Sequence, residues 1–348
     1  TESGPVLPGS HYDLASVTPQ GHVAALEWTA LSGADTSMTA AVRLMTSASV
    51  DEAIEAGRLF IAPAQNLMLA DENGIALQLI GAMPARDARH QTKGRMPAPG
   101  WEGANRWTGI LPYEDNPRFV NPVGGLLGNT NNKTVDRPFP NHVSFDWGDT
   151  QRIQRWLALM KTRAVHTRES FIEAQLDTVS PTARSLLPLI GADLWFTGEP
   201  APEGTPERLR QRALTLLAEW NGEMNEHLPE PLIAEAWLRA LQERLTRDEL
   251  GPLADEFVHP EPLFIERVYR NTAGASIWCD VIQSAAVETC TDIARLALDD
   301  ALLQLSERYG SNLESWRWGD AHVAAHDHPV LGEVPVLRYF VNIRQSSS

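Results

Sequence analysis

The chain has 348 residues, of which 43% are hydrophobic and 21% are charged, and this composition is typical of a globular protein. A formal net charge of −16 disfavours nucleic-acid binding, because that affinity depends on Lys and Arg side chains that neutralise phosphates. No stretch approaches the roughly 20 consecutive apolar residues that a membrane-spanning helix needs. From the charge we expect no nucleic acid as a partner, and from the lack of such a stretch we expect no membrane.

The first part of the chain predicts mixed strands and helices followed by loops. Residues 22–31 have the composition of a strand, and residues 38–47 and 50–62 have helical spacing of apolar residues. Residues 65–86 contain two apolar runs around an Asp-Glu-Asn-Gly sequence, which predicts a β-hairpin. Residues 93–125 are too rich in Gly and Pro for a long helix, so they predict ordered irregular loops.

From about residue 150 the pattern becomes helical. Thr205 and Pro206 are typical of an N-cap and a first helical position, and Gly310 is a plausible helix end. Thr167 also begins a helix, but Glu169 only approximates a capping box with it. The predicted helices occupy residues 149–163, 167–177, 205–220, 232–247 and 288–310.

Two cysteines, Cys279 and Cys290, are separated by 11 residues. Within one continuous helix they would lie about 16 Å apart along the axis, whereas a disulfide needs Cα atoms within about 7 Å. A disulfide therefore requires a bend between them. The spacing alone leaves two free thiols and one bridge equally open.

Three histidines near the end of the chain, His322, His326 and His328, form the pattern nearest to a metal motif. His322 and His326 would share one helix face, as paired zinc ligands do. There is no glutamate between them, and Pro329 follows His328, so histidines near a helix end are the simpler interpretation. A metal protein remains an alternative hypothesis.

The run Asn129-Thr130-Asn131-Asn132 raises the main chemical question. An asparagine amide can donate a hydrogen bond to an oxyanion without titrating, which an amide hydrolase needs. Asparagines that follow glycines also populate turns and left-handed conformations. From spacing alone the turn is the favoured interpretation.

Several blocks in order resemble the penicillin amidase (penicillin/cephalosporin acylase) family of N-terminal-nucleophile hydrolases. The likeness covers nearly the whole chain, which makes it specific. The blocks are "SGPVL" (3–7), "APAQNLMLADENG" (62–74), the segment 94–132 that ends in "GNTNN", "FDWGDTQRIQRWL" (145–157), and the late blocks "IWCD", "ETC", "WRWGDAH" and "HPVLGEVP".

The resemblance implies an α+β fold, namely part of the αββα sandwich of N-terminal-nucleophile hydrolases with a large helical insertion. Residues 1–150 would form part of the core, residues 151–310 a mainly helical region, and residues 311–348 a segment returning toward the core. We expect these regions to belong to one structural domain that is incomplete at both ends.

The resemblance also assigns roles to two residues. Asn131 matches the family asparagine whose amide stabilises the oxyanion, and Arg152 matches the arginine that orients the active-site groups around the amine of the nucleophile. The nucleophile is expected upstream, as the N-terminal residue of a self-cleaved β chain, with its own α-amine as base. Thr1 aligns within a strand and not at the cleavage site, so we do not expect it to be the nucleophile.

Three positions depart from the family pattern. Ser3 replaces the usual histidine, and Gln151 replaces the aromatic residue before Arg152. Some members bind a structural calcium, but Asn141 stands where an aspartate ligand would lie and most other ligands would lie outside this chain, so we commit to no cofactor and leave structural calcium open. The paired "WCD" and "ETC" blocks, together with the family's export to the periplasm, favour a Cys279–Cys290 disulfide.

The resemblance implies that the intact protein is an amidohydrolase, which would cleave a linear N-acyl amide through an acyl-serine intermediate. Its expected partners are a small N-acyl substrate and the remaining segments of its own precursor, and its expected location is the periplasm or outside the cell. The fragment alone is expected to be inactive. The alternative from another class is a non-catalytic binding or assembly module with the same fold.

Overall fold

The computed structural model describes residues 1–11, 14–135, 141–148, 150–195, 198–257 and 259–346. By the contacts between its residues the chain divides into two compact units, Thr1–Ile153 and Gln154–Ser348. Within the described residues, no helix combines the length and the apolar character needed to cross a bilayer. The expected organisation with boundaries at 150 and 310 stays a prediction.

The first unit contains short strands and helices joined by long loops. Its helices are α1 Leu14–Val17, α2 Ser37–Thr46 and α3 Val50–Gly57. Its strands are β1 Val6–Leu7, β2 Ala24–Ala25, β3 Gln65–Ala70, β4 Ile75–Ile80, β5 Pro84–Arg86, β6 Trp107–Ile110 and β7 Arg118–Val120.

The predicted hairpin is the centre of the first unit. β3 and β4 pair antiparallel from Gln65 opposite Ile80 to Ala70 opposite Ile75, and β7 joins the far edge of β4. The Asp71 carboxylate accepts hydrogen bonds from the backbone N–H groups of Asn73 (2.7 Å) and Gly74 (2.9 Å), which closes the turn. The hairpin prediction is therefore confirmed.

Other parts of the first unit differ from expectation. In the predicted strand 22–31 only Ala24–Ala25 pairs, with Val6–Leu7, and a 3₁₀ turn follows at Thr29–Leu31. This strand prediction was largely wrong, because Trp28 and Leu31 stay about half exposed instead of lining a buried sheet face. The predicted helix 50–62 ends at Gly57, and the loop region 93–125 contains the short strands β6 and β7.

Helix α4, Gln151–Lys161, spans the boundary between the units, and the second unit is mainly helical. Its further helices are α5 Arg168–Gln175, α6 Pro181–Ile190, α7 Pro206–Glu219, α8 Glu230–Leu250, α9 Pro262–Tyr269, α10 Cys290–Tyr309, α11 Trp318–Ala321 and α12 Arg338–Val341. Strands β8 Val323–His326 and β9 Ile343–Ser346 form an antiparallel pair.

The core of the second unit lies between α8 and α10. Trp237 of α8 is fully buried, and its indole Nε1–H donates to the carbonyl oxygen of Ala294 in α10 at 2.9 Å. Buried leucines and alanines of α6, α7 and α10 belong to the same hydrophobic core. Burial of a Trp with its N–H satisfied is the arrangement expected of a stable interior.

Two helix starts show how local chemistry sets the boundaries. Thr205 caps α7 by accepting a hydrogen bond from the N–H of Arg208 (3.2 Å), with Pro206 as the first helical residue, as predicted. At α5 the capping box is complete, but its second hydrogen bond is made by Ser170 and not by Glu169. The Oγ atom of Ser170 accepts a hydrogen bond from the N–H of Thr167 at 2.9 Å.

The two cysteines lie on different elements. Cys279 ends a 3₁₀ segment, Thr272–Cys279, and Cys290 begins α10. The Sγ atoms are 2.00 Å apart and the Cα atoms 5.0 Å apart, which is the geometry of a disulfide. The bend that a bridge requires is supplied by the non-helical residues 280–289.

The three histidines do not form the paired arrangement that the metal-binding alternative requires. Helix α11 ends at Ala321, and His326 belongs to strand β8, so His322 and His326 do not share a helix face. His328 accepts hydrogen bonds through Nδ1 from the N–H groups of Val330 and Leu331, both at 3.1 Å. Across the part of the chain that is described, no group of three or more His, Cys, Asp or Glu side chains is placed to hold a metal.

Candidate functional site

The asparagine run in the first unit forms a tight turn in which two amides have structural roles. Asn132 Oδ1 accepts hydrogen bonds from the N–H (3.0 Å) and the hydroxyl (3.3 Å) of Thr130. Asn129 Oδ1 accepts from the N–H of Asn131 and from Nδ2 of Asn66 on β3, both at 3.2 Å. The turn interpretation is thus correct for Asn129 and Asn132, and Asn66 anchors the turn to the hairpin.

Asn131 differs from its neighbours in backbone and in side chain. Its φ is +66°, in the left-handed region that asparagine tolerates better than most residues. Its side chain is exposed, and among the described residues none accepts a hydrogen bond from its Nδ2. The turn therefore presents one amide group outward while it uses the others internally.

Arg152, in the first turn of α4, holds the Asn131 amide in one orientation. Its Nη2 donates to the backbone oxygen of Thr130 at 2.5 Å and to Oδ1 of Asn131 at 3.1 Å. A guanidinium has donors only, so the atom that faces it must be the amide oxygen. Consequently Nδ2, a donor, points away from Arg152 and is available to another group.

The backbone of Asn131 is fixed by Gly148. The N–H of Gly148 donates to the carbonyl oxygen of Asn131 at 2.7 Å, and Asn132 and Gly148 form a parallel bridge. A Cβ atom at position 148 would lie 2.8 Å from that oxygen and 3.1 Å from Cβ of Asn131. Glycine is therefore needed here for the close approach of the two segments.

The structure brings together both residues that the resemblance singled out, which are 21 positions apart in the sequence. Sequence reasoning missed three contributors, namely the Thr130 carbonyl, Gly148 and Asn66. Gly148 had a local signal, since it follows Trp147 in the "FDWGD" block. Asn66 had one as well, since it lies in the "APAQNLMLADENG" block, and only the Thr130 carbonyl had none, because no motif marks a backbone carbonyl.

Asn141 offers an amide oxygen and no carboxylate, whereas a calcium ion takes six to eight oxygen ligands, several of them carboxylates. The neighbouring His142 has its pKa lowered by burial and by the positive charges of Arg86 and Lys93. The Lys93 ammonium itself donates to the backbone oxygens of Asp87 (2.7 Å) and Ala88 (3.0 Å). Two cationic side chains thus act on His142, and we derive no step that involves a metal.

The whole chain matches a known family. The family model described as penicillin amidase matches residues 1–347, and the chain therefore belongs to the penicillin amidase family. The structure is similar to that of a thermostable penicillin G acylase from Alcaligenes faecalis, with a TM-score of 0.68, 17% sequence identity, and coverage of 99% of this chain and 63% of the other. This similarity confirms the predicted α+β N-terminal-nucleophile hydrolase fold with its large helical part.

Sequence relatives share about a quarter of their residues with this chain. The penicillin acylase 2 proenzyme of Pseudomonas sp. strain SE83 is 26% identical over 98% of this chain and 41% of its own length. An acyl-homoserine lactone acylase of Pseudomonas aeruginosa is 26% identical over 83% of this chain and 35% of its own length. The penicillin G acylase of Escherichia coli is 27% identical over 72% of this chain and 32% of its own length. The chain thus spans less than half the length of these relatives.

Proposed function

We propose that the full-length protein is an amidohydrolase of the acylase type that cleaves linear N-acyl amides. The observation that carries this proposal is the contact between Arg152 and Oδ1 of Asn131, which turns Nδ2 outward as an uncharged donor. Family membership supports the reaction class. Each relative described above is named as an acylase, and this supports the same class.

In the proposed mechanism Asn131 acts at the carbonyl of the scissile amide. A hydroxyl oxygen attacks the carbonyl carbon, its proton passes to the nucleophile's own α-amine, and the carbonyl oxygen becomes negative. Nδ2 of Asn131 donates to that oxyanion. Collapse of the intermediate breaks the C–N bond, and the leaving amine takes the proton. Water then attacks the acyl ester in the same way and releases the carboxylic acid and the free hydroxyl.

The nucleophile in this proposal is a serine at the N-terminus of a processed β chain, in a part of the protein outside these 348 residues. The remaining segments of the precursor are therefore the proposed partners. Asn131 and Arg152 are exposed in this chain, whereas an oxyanion donor is most effective where water is excluded. We therefore propose that the remaining segments cover these two residues. The proposed substrates are small N-acyl compounds, a class that includes both the β-lactam and the homoserine lactone types.

Periplasmic or extracellular location is part of the same proposal, because the Cys279–Cys290 bridge would persist only in an oxidising compartment. We expect no alkylation of these two cysteines when the protein is denatured without reductant, and complete alkylation after reduction. Mass spectrometry of the peptides measures this. Two alkylated thiols in unreduced protein isolated from its native compartment would contradict the bridge.

The decisive test of function is hydrolysis by the protein made from its full coding sequence. We expect two chains after processing, a serine at the start of one of them, and turnover of N-acyl amides. Residues 1–348 alone should give no turnover. Robust hydrolysis by this chain alone would place the nucleophile within it, and an unprocessed, inactive full-length protein would favour the binding or assembly module.

A further inference from the structure

A groove on the surface of the second unit lies between α6 and α7. Its volume is about 510 Å³, which falls within the range of about 300–1,000 Å³ that is common for small-molecule sites. Its walls are mainly apolar and aromatic. They include Ala183, Leu187, Pro188, Trp195, Leu217 and Trp220.

One end of the groove is held by backbone hydrogen bonds. The segment after α7 crosses the start of α6, where the N–H of Ser180 donates to the oxygen of Gly222 (2.7 Å) and the N–H of Met224 donates to the oxygen of Thr178 (3.0 Å). The indole N–H of Trp220 donates to the oxygen of Glu223 at 2.8 Å. The orientation of this aromatic wall is thereby fixed, and part of the half-buried Trp220 side chain lines the groove.

Arg184 is the one cationic side chain in the lining. Its stem rests on Gly222, where an added Cβ would lie 2.6 Å from Arg184 Cγ and 2.9 Å from Cδ, and Gly222 has a φ of +88°. Glycine therefore makes room for the arginine. Within the described part of the chain, its guanidinium forms no hydrogen bond or ion pair with another residue.

We propose that this groove binds a small carboxylic acid with an aromatic or aliphatic body. The carboxylate accepts charge-assisted hydrogen bonds from the Arg184 guanidinium, whose forked donors match two carboxylate oxygens. The body of the ligand packs on Trp195 and Trp220, which are half-buried aromatic side chains in the lining. The ligand class follows from the pairing of a free cation with apolar walls.

The test uses the full-length protein labelled with fluorotryptophan, so that fluorine NMR reports on Trp195 and Trp220 directly. Hydrocinnamate is the probe, and hydrocinnamyl alcohol, which has the same body without the charge, is its control. We expect saturable shifts of both resonances with a Kd of about 1 mM for the acid. The alcohol should bind about tenfold more weakly.

Two variants and a matched control decide the outcome. Arg184→Gln should lower the affinity for the acid to that for the alcohol. Ala218→Phe, which adds a ring to the exposed lining, should lower the affinity for both ligands. Arg168→Gln, a surface change outside the lining, should alter neither. Shifts that do not saturate, equal binding of acid and alcohol, or an unchanged acid affinity in Arg184→Gln would each overturn the proposal. Binding is measured without turnover, so a failure here leaves the proposed amide hydrolysis untouched.

Discussion

Replacement of Asn131 by alanine in the full-length enzyme is expected to lower kcat by about 10²–10³-fold, with a much smaller change in KM. The reason is that Nδ2 meets a full negative charge only in the tetrahedral intermediate, so its loss affects the transition state more than substrate binding. Steady-state kinetics on a chromogenic N-acyl amide measures the effect.

A glycine variant separates the amide from the backbone at this position. Alanine at a φ of +66° adds strain of about 1–2 kcal/mol, whereas glycine accepts that conformation freely. Asn131→Gly should therefore lose as much kcat as Asn131→Ala while it keeps normal stability. Asn271→Gly, at another left-handed asparagine with a φ of +50°, is the matched control and should keep full activity. A folded Asn131→Gly enzyme with near-normal kcat would remove Asn131 from the mechanism.

Replacement of Arg152 by methionine is expected to lower kcat by about 10²-fold, because a misplaced catalytic group can cost that much without any change in the chemistry. Methionine keeps most of the stem but provides no donor for Thr130 O or Asn131 Oδ1. The Asn131 amide can then rotate and present its oxygen to the substrate. Arg152→Lys, which retains a donor, should recover part of the loss, and KM should change little in both variants.

A double-mutant cycle tests whether Arg152 acts through Asn131. In the Asn131→Gly enzyme there is no amide left to orient, so adding Arg152→Met should cost little more kcat. Fully additive losses would show that Arg152 acts on the reaction independently of Asn131. Arg168→Met, an exposed arginine at the start of α5, is the control for loss of a surface charge.

The local elements that the sequence predicts well are those with a short-range physical cause. The hairpin follows from a turn in which the Asp71 carboxylate satisfies two backbone N–H groups. The start of α7 follows from Thr205 and Pro206, which act within one helical turn. Both could be predicted because the determining residues are adjacent in the chain.

The predictions that were wrong depended on tertiary context. Residues 22–31 have strand composition, but only the two residues opposite Val6–Leu7 pair. His322 and His326 have helical spacing, yet the helix ends before them and a strand begins. In both cases local preference was overridden by the partner available in space.

The candidate site shows the same distinction. The local pattern correctly favoured a turn at the asparagine run. It did not indicate which asparagine side chain has no structural role within the turn. That choice depends on Asn66 from β3 and Arg152 from α4, which are 63 and 21 residues from their respective asparagine partners. In the sequence, only the ordered family blocks connected Asn131 to Arg152.

The contact between Gly148 and the backbone of Asn131 has a consequence for how such a protein can diversify. Two contacts close a loop in the chain and fix both of its ends at the site. They are the hydrogen bond from Gly148 N–H to Asn131 O and the bridge between Asn132 and Gly148. Loop-closure entropy grows slowly with length, by about 0.6 kcal/mol for each doubling. An insertion in the connection between Asn132 and Gly148 is therefore expected to leave the register of Asn131 and Arg152 unchanged, so this connection can vary in length at little cost in stability.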